Sequence, residues 1–572
     1  MNAPDPSQAH LRSSASICGS LFDVLRQAAA MHPARGIGIF DSRGKTVQWR
    51  TYPELLDGVR RSAARLAAVG VRPGDRVLVC QPTSWGWVDA WCGALWLKAL
   101  PVGLAPMGNM AAAESYLEKV EGVLERISAS WLISDAALRH EARKHGAHRT
   151  AKAVRTLEEL AALPLNAPVV EPHADAEEIA FLQLTSGSTG RQRAVMLTHR
   201  AAIHNTQALD DGACAPHGGH TQARIESVVN WLPLYHDMGL VGTLLYCFAH
   251  GYDFWLMRPE TFLGRPRLWL AALGAHGRAL ASAPNFAFQQ CVERVEPSEL
   301  VGVDLSNWLG AMDGAEMIRP ETCAAFSSKF AVCGFRAEAF RPCYGMAEAS
   351  LAVTIDRQGK GVRTRPVPQG VGGGLDLRET VCTGAPVLDT QVRIVAPDGA
   401  PLPEGRVGQV CAKSPSVFAG YYQDAEATAE SLQNGWLSTG DLGFLTDGEL
   451  YITGRTKDLL IIHGHNVMPH ELEWQAESVT GGGGTARCGA FSIAKGTAGE
   501  QAVLVVEVES RDSEALRTLD HGIRSRIGQT LGLPLADVLF VQRGQLPKTT
   551  SGKIQRGELR QRYLDGKLVR LA

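Results

Sequence analysis

Apolar positions along this chain fall into two textures. After a polar stretch at residues 1–17 that predicts a flexible start, Leu21, Phe22, Val24, Leu25 and Ala28 lie on one stripe at helical spacing. In TYPELLDGVRRSAARLAAVG, Leu55, Val59, Ala63 and Leu66 recur on one helical face; Thr51 with Glu54 makes a capping box, and Gly70 ends the run. RVLVC then reads as a buried strand, and helices alternate with short apolar strands through ALWLKALPVGL, SWLISD and EIAFLQL. Apolar strands separated by helices predict parallel sheets covered on both faces, so the expected class is α/β with a large layered N-terminal body.

The texture changes after about residue 455. QAVLVVEVES, the helical EALRTLDHGIRSRIGQTLG, the strand-like DVLFVQ and a basic tail helix predict a compact α+β unit of roughly a hundred residues. The expected division is residues 18–455 for the large domain and 456–572 for a small C-terminal one, with the boundary in GRTKD, Gly454–Asp458. The GGGG run at Gly481–Gly484 reads as a loop inside the small unit.

Charge narrows the function classes. Lys plus Arg number 57 against 59 Asp plus Glu, for a formal charge of -2, so no long-range field draws nucleic acid or an anionic membrane, and any phosphate must be held by local geometry. The 12 cysteines are scattered without a C-x-x-C pair, the pattern of thiols in a reducing compartment rather than of a disulfide framework or structural zinc. The start lacks a secretory signal, and no stretch of about 18 apolar residues appears, so the expectation is a cytoplasmic protein without integral membrane association.

Candidate chemistry begins at TSGSTGRQRAVMLTHR, Thr185–Arg200, where glycines and hydroxylated residues are expected to leave a strand and enter a helix. Such a loop can wrap phosphates with backbone N–H groups and hydroxyls, and it is not a G-x-x-x-x-G-K-[ST] loop. Alone, such a run is more often an ordinary surface loop. It is followed in order by WLPLYHDMGL, PNFAF, YGMAEASL, STGDLGFL, GRTKDLLIIHGHN and PKTTSGKIQR. This succession, from about residue 20 to the C-terminus, resembles the adenylate-forming superfamily, and within it the fatty acyl-AMP ligases.

The resemblance implies a large domain with a small mobile lid, ATP and Mg²⁺ as cofactors, and a two-step reaction. A carboxylate attacks the α-phosphate of ATP and expels pyrophosphate, and the acyl group then passes from AMP to a thiol. Thr185, Ser186, Gly187, Ser188, Thr189 and Gly190 resemble the loop that holds the β- and γ-phosphates. The family continues with Pro-Lys-Gly; here Gln192, Arg193 and Ala194 stand instead, so a guanidinium replaces the customary ammonium. Glu348 matches the carboxylate that organises the metal, with Thr185 beside it. Gly314, Ala315, Glu316, Tyr344, Gly345 and Met346 match the adenine slot. Asp441, assisted by Arg455, matches the ribose-diol ligand. Lys553 matches the lysine that the lid delivers for adenylation, and Lys457 the hinge. His236, Asp237, Met238 and Gly239 match the lip of the acid tunnel. There a general base is not needed, because the acid is already ionised, and His236 is assigned to gating and positioning.

HDMGL, FLGRPRLWL, APNFAF and GFRAEAFRPCYGMAEASL favour the acyl-AMP ligase branch, whose insertion after the YGMAE-type motif is associated with poor use of CoA. Here the stretch Leu351–Cys382 carries GKGVRTRPVPQGVGGG, short for that branch and long for a CoA ligase, and Gln409 replaces a usual glutamate. The chain ends soon after Lys553, so a carrier protein or the loading module of a synthase is expected to supply the thiol in trans. An acyl-CoA synthetase is the alternative within the class, and a non-catalytic nucleotide-binding paralogue the alternative outside it.

Overall fold

The computed structural model describes residues 18–41, 43–44, 46–108, 113–165, 170–185, 192–214, 225–357, 359–368, 379–462, 465–480, 488–494, 500–549 and 552–571. Its elements form where local chemistry calls for them. The helix Tyr52–Ala68 starts at Thr51, whose side chain accepts from Glu54 N while the Glu54 carboxylate accepts from Thr51 N at 2.8 Å, and Pro53 sits in the first turn. Its stripe of Tyr52, Leu55, Val59, Ala63 and Leu66 is buried, and the helix packs on Trp85–Trp96, itself buried on nearly every side.

Two large sheets make the body, as the α/β expectation requires. Among the described residues the first has nine strands in the order Ala385–Pro386, Ala352–Ile355, Phe340–Gly345, Trp308–Asp313, Ala279–Ala283, Ser227–Asn230, Asp253–Leu256, Gly36–Phe40 and Thr46–Thr51. Pairings from Phe340–Gly345 through Gly36–Phe40 are parallel, and those beyond either end are antiparallel. The second has seven, in the order Gly420–Tyr421, Ala194–Thr198, Ile179–Leu184, Leu100–Gly103, Arg76–Val79, Trp131–Ser134 and Val154–Thr156. Its first two pairings are antiparallel and the rest parallel.

Strand alternation separates the cores. Phe340 points into an aromatic cluster with Phe288, Trp308 and Phe326. Its neighbour Arg341 is 1 % exposed, and its guanidinium donates to Ala213 O and, at 3.1 Å, to Leu309 O. That placement neutralises the last turn of the helix His199–Cys214, where carbonyls lack intrahelical donors.

One expectation is corrected here. The glycine-rich loop does not lead directly into a helix, because AVMLT forms the strand Ala194–Thr198, antiparallel to Ile179–Leu184, before the helix begins at His199. The strands on either side of the loop form an antiparallel pair, and residues 186–191 between them lie outside the described residues.

A smaller sheet of Gln391–Val395, Gly408–Lys413, Trp436–Thr446, Leu432–Gln433 and Glu449–Arg455 follows. After the 3-10 turn Thr456–Asp458 the chain enters a different sheet, made by Leu460–Ile462, His465–Val467, Cys488–Ala494, Glu500–Val508 and Leu535–Gln542. The helices Pro469–Thr480, Ser513–Leu531 and Arg556–Leu564 accompany it. The Gly481–Gly484 run lies outside the described residues. Among those described, no helix is long and apolar enough to cross a membrane.

The stretch after Leu351 is tied to the hairpin that precedes Thr456. Arg363 reaches Asp356 at 2.8 Å and also Glu449, Lys360 reaches Glu449 at 2.6 Å, and Arg365 pairs with Asp447 at 2.7 Å. Thr364–Pro366 pairs with Glu379–Val381; residues 369–378 lie outside the described ones.

Candidate active site

Strand and hairpin register brings distant motifs together. Asp441 and Arg455 are cross-strand partners in the antiparallel pair Trp436–Thr446 and Glu449–Arg455, and their side chains meet at 3.0 Å. The second Asp441 oxygen accepts from Tyr344 Oη at 2.6 Å, so one carboxylate joins the end of the nine-stranded sheet to the smaller sheet. Within the same strand, Thr439 Oγ1 accepts from Asp441 N at 3.1 Å.

Glu348 follows in the short turn Ala347–Ala349. Ser350 just after it takes φ +63, an uncommon conformation for a residue other than glycine, and is held by donating Oγ to Ser416 O at 2.7 Å. Tyr421 donates to Glu348 Oε1 at 2.8 Å. Burial pushes the Glu348 carboxyl upward, and the Tyr421 hydroxyl opposes that push.

The stretch at residues 314–316 leaves the strand Trp308–Asp313 with no space to spare. A Cβ on Gly314 would stand 2.7 Å from Cys343 Sγ and 2.9 Å from Cys343 O, and one on Gly345 would stand 1.9 Å from Leu351 O. Ala315 takes φ +69, and Glu316 accepts from Phe286 N at 2.6 Å. Burial raises the Glu316 carboxyl, against which Phe286 N–H and Lys553 work.

His236 and Asp237 meet at 2.6 Å, Met238 N donates to Asp237 at 2.7 Å, and Gly239 lies where a Cβ would be 2.2 Å from Pro233 O. The chain continues as a π-helical segment, Leu240–Leu245, of the kind found often at functional sites. Burial pushes Asp237 up, but His236 and Lys553 hold it below the usual carboxylate range.

Lys553 reaches this group from the small unit. Its turn is closed by Thr549 N donating to Lys553 O at 2.7 Å and Lys553 N donating to Thr549 Oγ1 at 3.1 Å. Burial and the neighbouring Arg455 lower the ammonium pKa, while Asp237, Glu316 and Asp441 raise it. Lys457 stands in the turn between the sheets, its pKa also lowered by burial and Arg455.

Thr185 and Arg193 close the neck of the hairpin tip: Thr185 N donates to Arg193 O at 2.9 Å, and Arg193 N donates to Thr185 Oγ1 at 3.1 Å. Ser186, Gly187, Ser188, Thr189 and Gly190 lie outside the described residues. The Arg193 guanidinium sits 5.0 Å from the Tyr421 ring centre and 3.6 Å from Asp424.

These groups surround a cavity of about 1010 Å³. Thr185, Arg193, Glu348, Arg455, Lys457 and Lys553 form polar walls, and His236, Asp237, Met238, Ala315, Tyr344, Gly345 and Met346 also line it. Leu209, Ala213, Tyr246, Leu280, Met312 and Ile355 form apolar walls of the same cavity. Glu316 and Asp441 line a second, adjoining cleft of about 270 Å³ that shares Tyr344, Arg455 and Lys553, whereas Gly239 and Gly314 line neither. Sequence reasoning missed Tyr421 and Asp424. Tyr421 lies in the strand Gly420–Tyr421, two residues long, so periodicity carries no signal and only the aromatic pair in AGYYQD marks it, and Asp424 caps the helix Ala425–Ser431 that follows.

A family model described as AMP-binding enzyme matches residues 25–422. A Caulobacter vibrioides protein that carries the name of an acyl-CoA synthetase is 33% identical over 561 residues, covering 95% of this chain and 96% of its own. The long-chain-fatty-acid–AMP ligase FadD28 of Mycobacterium bovis is 30% identical over 595 residues, covering 97% and 100%. A solved structure from studies of fatty acyl-adenylate ligases of E. coli and L. pneumophila superposes with a TM-score of 0.87 at 30% identity, covering 97% of this chain and 99% of that one.

Proposed function

The chain belongs to the AMP-binding enzyme family, and from that premise we propose that it activates a fatty acid with ATP to the acyl adenylate and passes the acyl group to the phosphopantetheine thiol of a carrier protein or synthase loading module. The observation that carries this reading is the single cavity whose polar walls hold Glu348, Arg455 and Lys553 and whose apolar walls hold Leu209, Tyr246 and Ile355. The first set suits a triphosphate and a reacting carboxylate, the second an alkyl chain.

In this reading Tyr344, with the strained Ala315 backbone, flanks the adenine, and Asp441 accepts from the ribose hydroxyls while Arg455 holds it in place. Lys553 bridges the acid carboxylate and the α-phosphate, offsetting their repulsion and the charge that grows as the new bond forms. Burial and Arg455 lower the pKa of that ammonium, and Asp237, Glu316 and Asp441 oppose the shift. His236 and Met238 stand at the entrance to the apolar walls and position the acid. The family implies Mg²⁺, and the residues present fit it. Glu348 is a buried carboxylate facing the cavity, Thr185 offers a hydroxyl there, and hard oxygen donors of this kind together with phosphate oxygens suit that ion. Glu348 and Thr185 would hold it, and it would neutralise charge on the departing pyrophosphate.

The division at Thr456–Asp458 supports residues 456–572 as a lid turning about Lys457, so that one cavity serves both steps. No disulfide joins cysteines among the described residues, which fits a cytoplasmic setting. ATP–pyrophosphate exchange with a panel of straight-chain acids tests the adenylation, and offering CoA beside a phosphopantetheine-loaded carrier tests the acceptor. Exchange with no acid refutes the reading. The likeness to the Caulobacter protein favours acyl-CoA synthesis as the second reading, which faster acyl-CoA formation than carrier loading would establish.

A further inference from the structure

Lys553 acts only if the small unit is docked in register on the large one, and one set of contacts between the units starts at Arg319, at the rim of the second cleft. Arg319 ends the stretch that begins at Gly314 and forms the cap of the helix Pro320–Phe330. Its guanidinium crosses to the small unit, donates to Glu477 Oε2 and lies 4.8 Å from the centre of the Trp474 ring. Trp474 and Glu477 are one turn apart on the helix Pro469–Thr480, so they grip the guanidinium from its face and its edge.

The same helix continues the path toward the reacting lysine. Glu473, one turn before Glu477, accepts from Arg556 Nε at 2.8 Å and from Arg556 Nη2 at 2.7 Å, and also from Ala490 N at 2.9 Å. Arg556 follows Lys553 by three residues, and it stands 3.5 Å from Asp458 in the turn between the sheets. A continuous set of charge-assisted contacts thus runs from Arg319 through Glu477, one helical turn, Glu473 and Arg556 to the turn bearing Lys553. The side chains of Glu473 and Glu477 are both less than a tenth exposed, so their pairs are less screened than surface ones.

We propose that Arg319 is a positioning residue: it latches the small unit in the pose that delivers Lys553 for adenylation, and its release is the step that frees the unit for acyl transfer. The inference rests on the adenylation reading above. A shift in the docked population changes the first half-reaction and leaves untouched a second half-reaction that uses another pose.

The test compares Arg319→Ala, Glu477→Gln and the double variant in ATP–pyrophosphate exchange, and in acyl transfer from supplied acyl adenylate to pantetheine, with thermal unfolding measured alongside. The expected result is an exchange rate at least tenfold lower in each single variant, no further loss in the double one, and transfer as fast as in the wild type or faster. Arg319→Lys, which keeps the charge without the planar fork, is expected to recover part of the exchange rate. Wild-type exchange in Arg319→Ala, additive losses in the double variant, or equal loss in both half-reactions would overturn the latch. Absence of exchange in the wild type with every acid would instead remove the adenylation reading on which it stands.

Discussion

Tyr421 donates its hydroxyl to Glu348 Oε1 at 2.8 Å while its ring lies beneath the Arg193 guanidinium at 5.0 Å. The substituted arginine and the carboxylate proposed to organise the metal are therefore joined through one aromatic side chain, which reaches both from the edge of the seven-stranded sheet. A cation over a phenol ring draws electron density from it and strengthens the hydroxyl as a donor.

Removing that hydroxyl leaves a buried carboxylate without its donor. Tyr421→Phe is expected to keep the fold and to lower the exchange rate on the order of tenfold, the worth of a charge-assisted hydrogen bond. Steady-state exchange kinetics check this, and an unchanged rate would show that Glu348 is aimed by its backbone alone.

Lys553 carries the clearest division between the two steps. Lys553→Ala is expected to lower acyl-adenylate formation by roughly a hundredfold or more, as expected when a preorganised charge at the reacting centre is lost. Thiol transfer from supplied acyl adenylate should stay near the wild-type rate. Equal loss in both steps, read by separate half-reaction assays, would contradict a lysine engaged in only one of them.

Asp313 gives a stability prediction independent of turnover. It is fully buried at the end of its strand, where it accepts from Asn285 Nδ2 at 2.7 Å and from Cys323 Sγ at 3.5 Å, and its other oxygen has no hydrogen-bond partner among the described residues. Burial pushes its pKa from 3.8 up to about 8; Asn285 opposes the shift and Glu316 adds to it. Between those values the folded chain holds a proton that the unfolded chain has released, so stability falls as pH rises through that window, by about 1 kcal/mol per pH unit. Asp313→Asn removes the proton uptake, and urea unfolding at pH 6 and pH 8 should show a flatter dependence with the largest gain at pH 8. An unaltered pH dependence would mean that Asp313 is ionised in the fold.

How far the sequence reached can be seen residue by residue. Thr51 and Glu54 gave the capping box and Leu55 to Leu66 the buried stripe, because both are local patterns of fixed period. Tyr344, Asp441, Arg455 and Lys553 came from motif order, and the structure brings them around adjoining cavities. The strand Ala194–Thr198, which stands between the loop and the helix His199–Cys214, carries no signal of its own, since five residues of AVMLT satisfy either period. Tyr421, Arg319 and Glu477 left no trace in the sequence reading. Their roles depend on which elements meet across sheets and between units, and no spacing along the chain encodes that.

The charged stretch after Leu351 supplies the last prediction. Lys360 and Arg363 both close on Glu449, Arg363 also closes on Asp356, and these pairs fasten the stretch to the strand Glu449–Arg455 that leads directly into Thr456–Asp458. The Glu449 carboxyl is held down to about 2: burial raises it, but Arg363 and Lys360 outweigh that. The clasp is thus fully charged at neutral pH. A segment pinned to the start of the strand that leads into the turn stiffens the strand from which the small unit would swing, and so biases the unit against the pose needed for transfer to a free thiol such as CoA. A carrier protein brings docking contacts of its own that can offset this bias. Arg363→Ala leaves the Glu449 clasp with Lys360 alone, and deletion of residues 359–374 removes part of the segment. Both changes should raise acyl-CoA formation several-fold while exchange with ATP stays near the wild-type rate. If the intact enzyme already forms acyl-CoA as fast as it loads a carrier, the clasp has no such role.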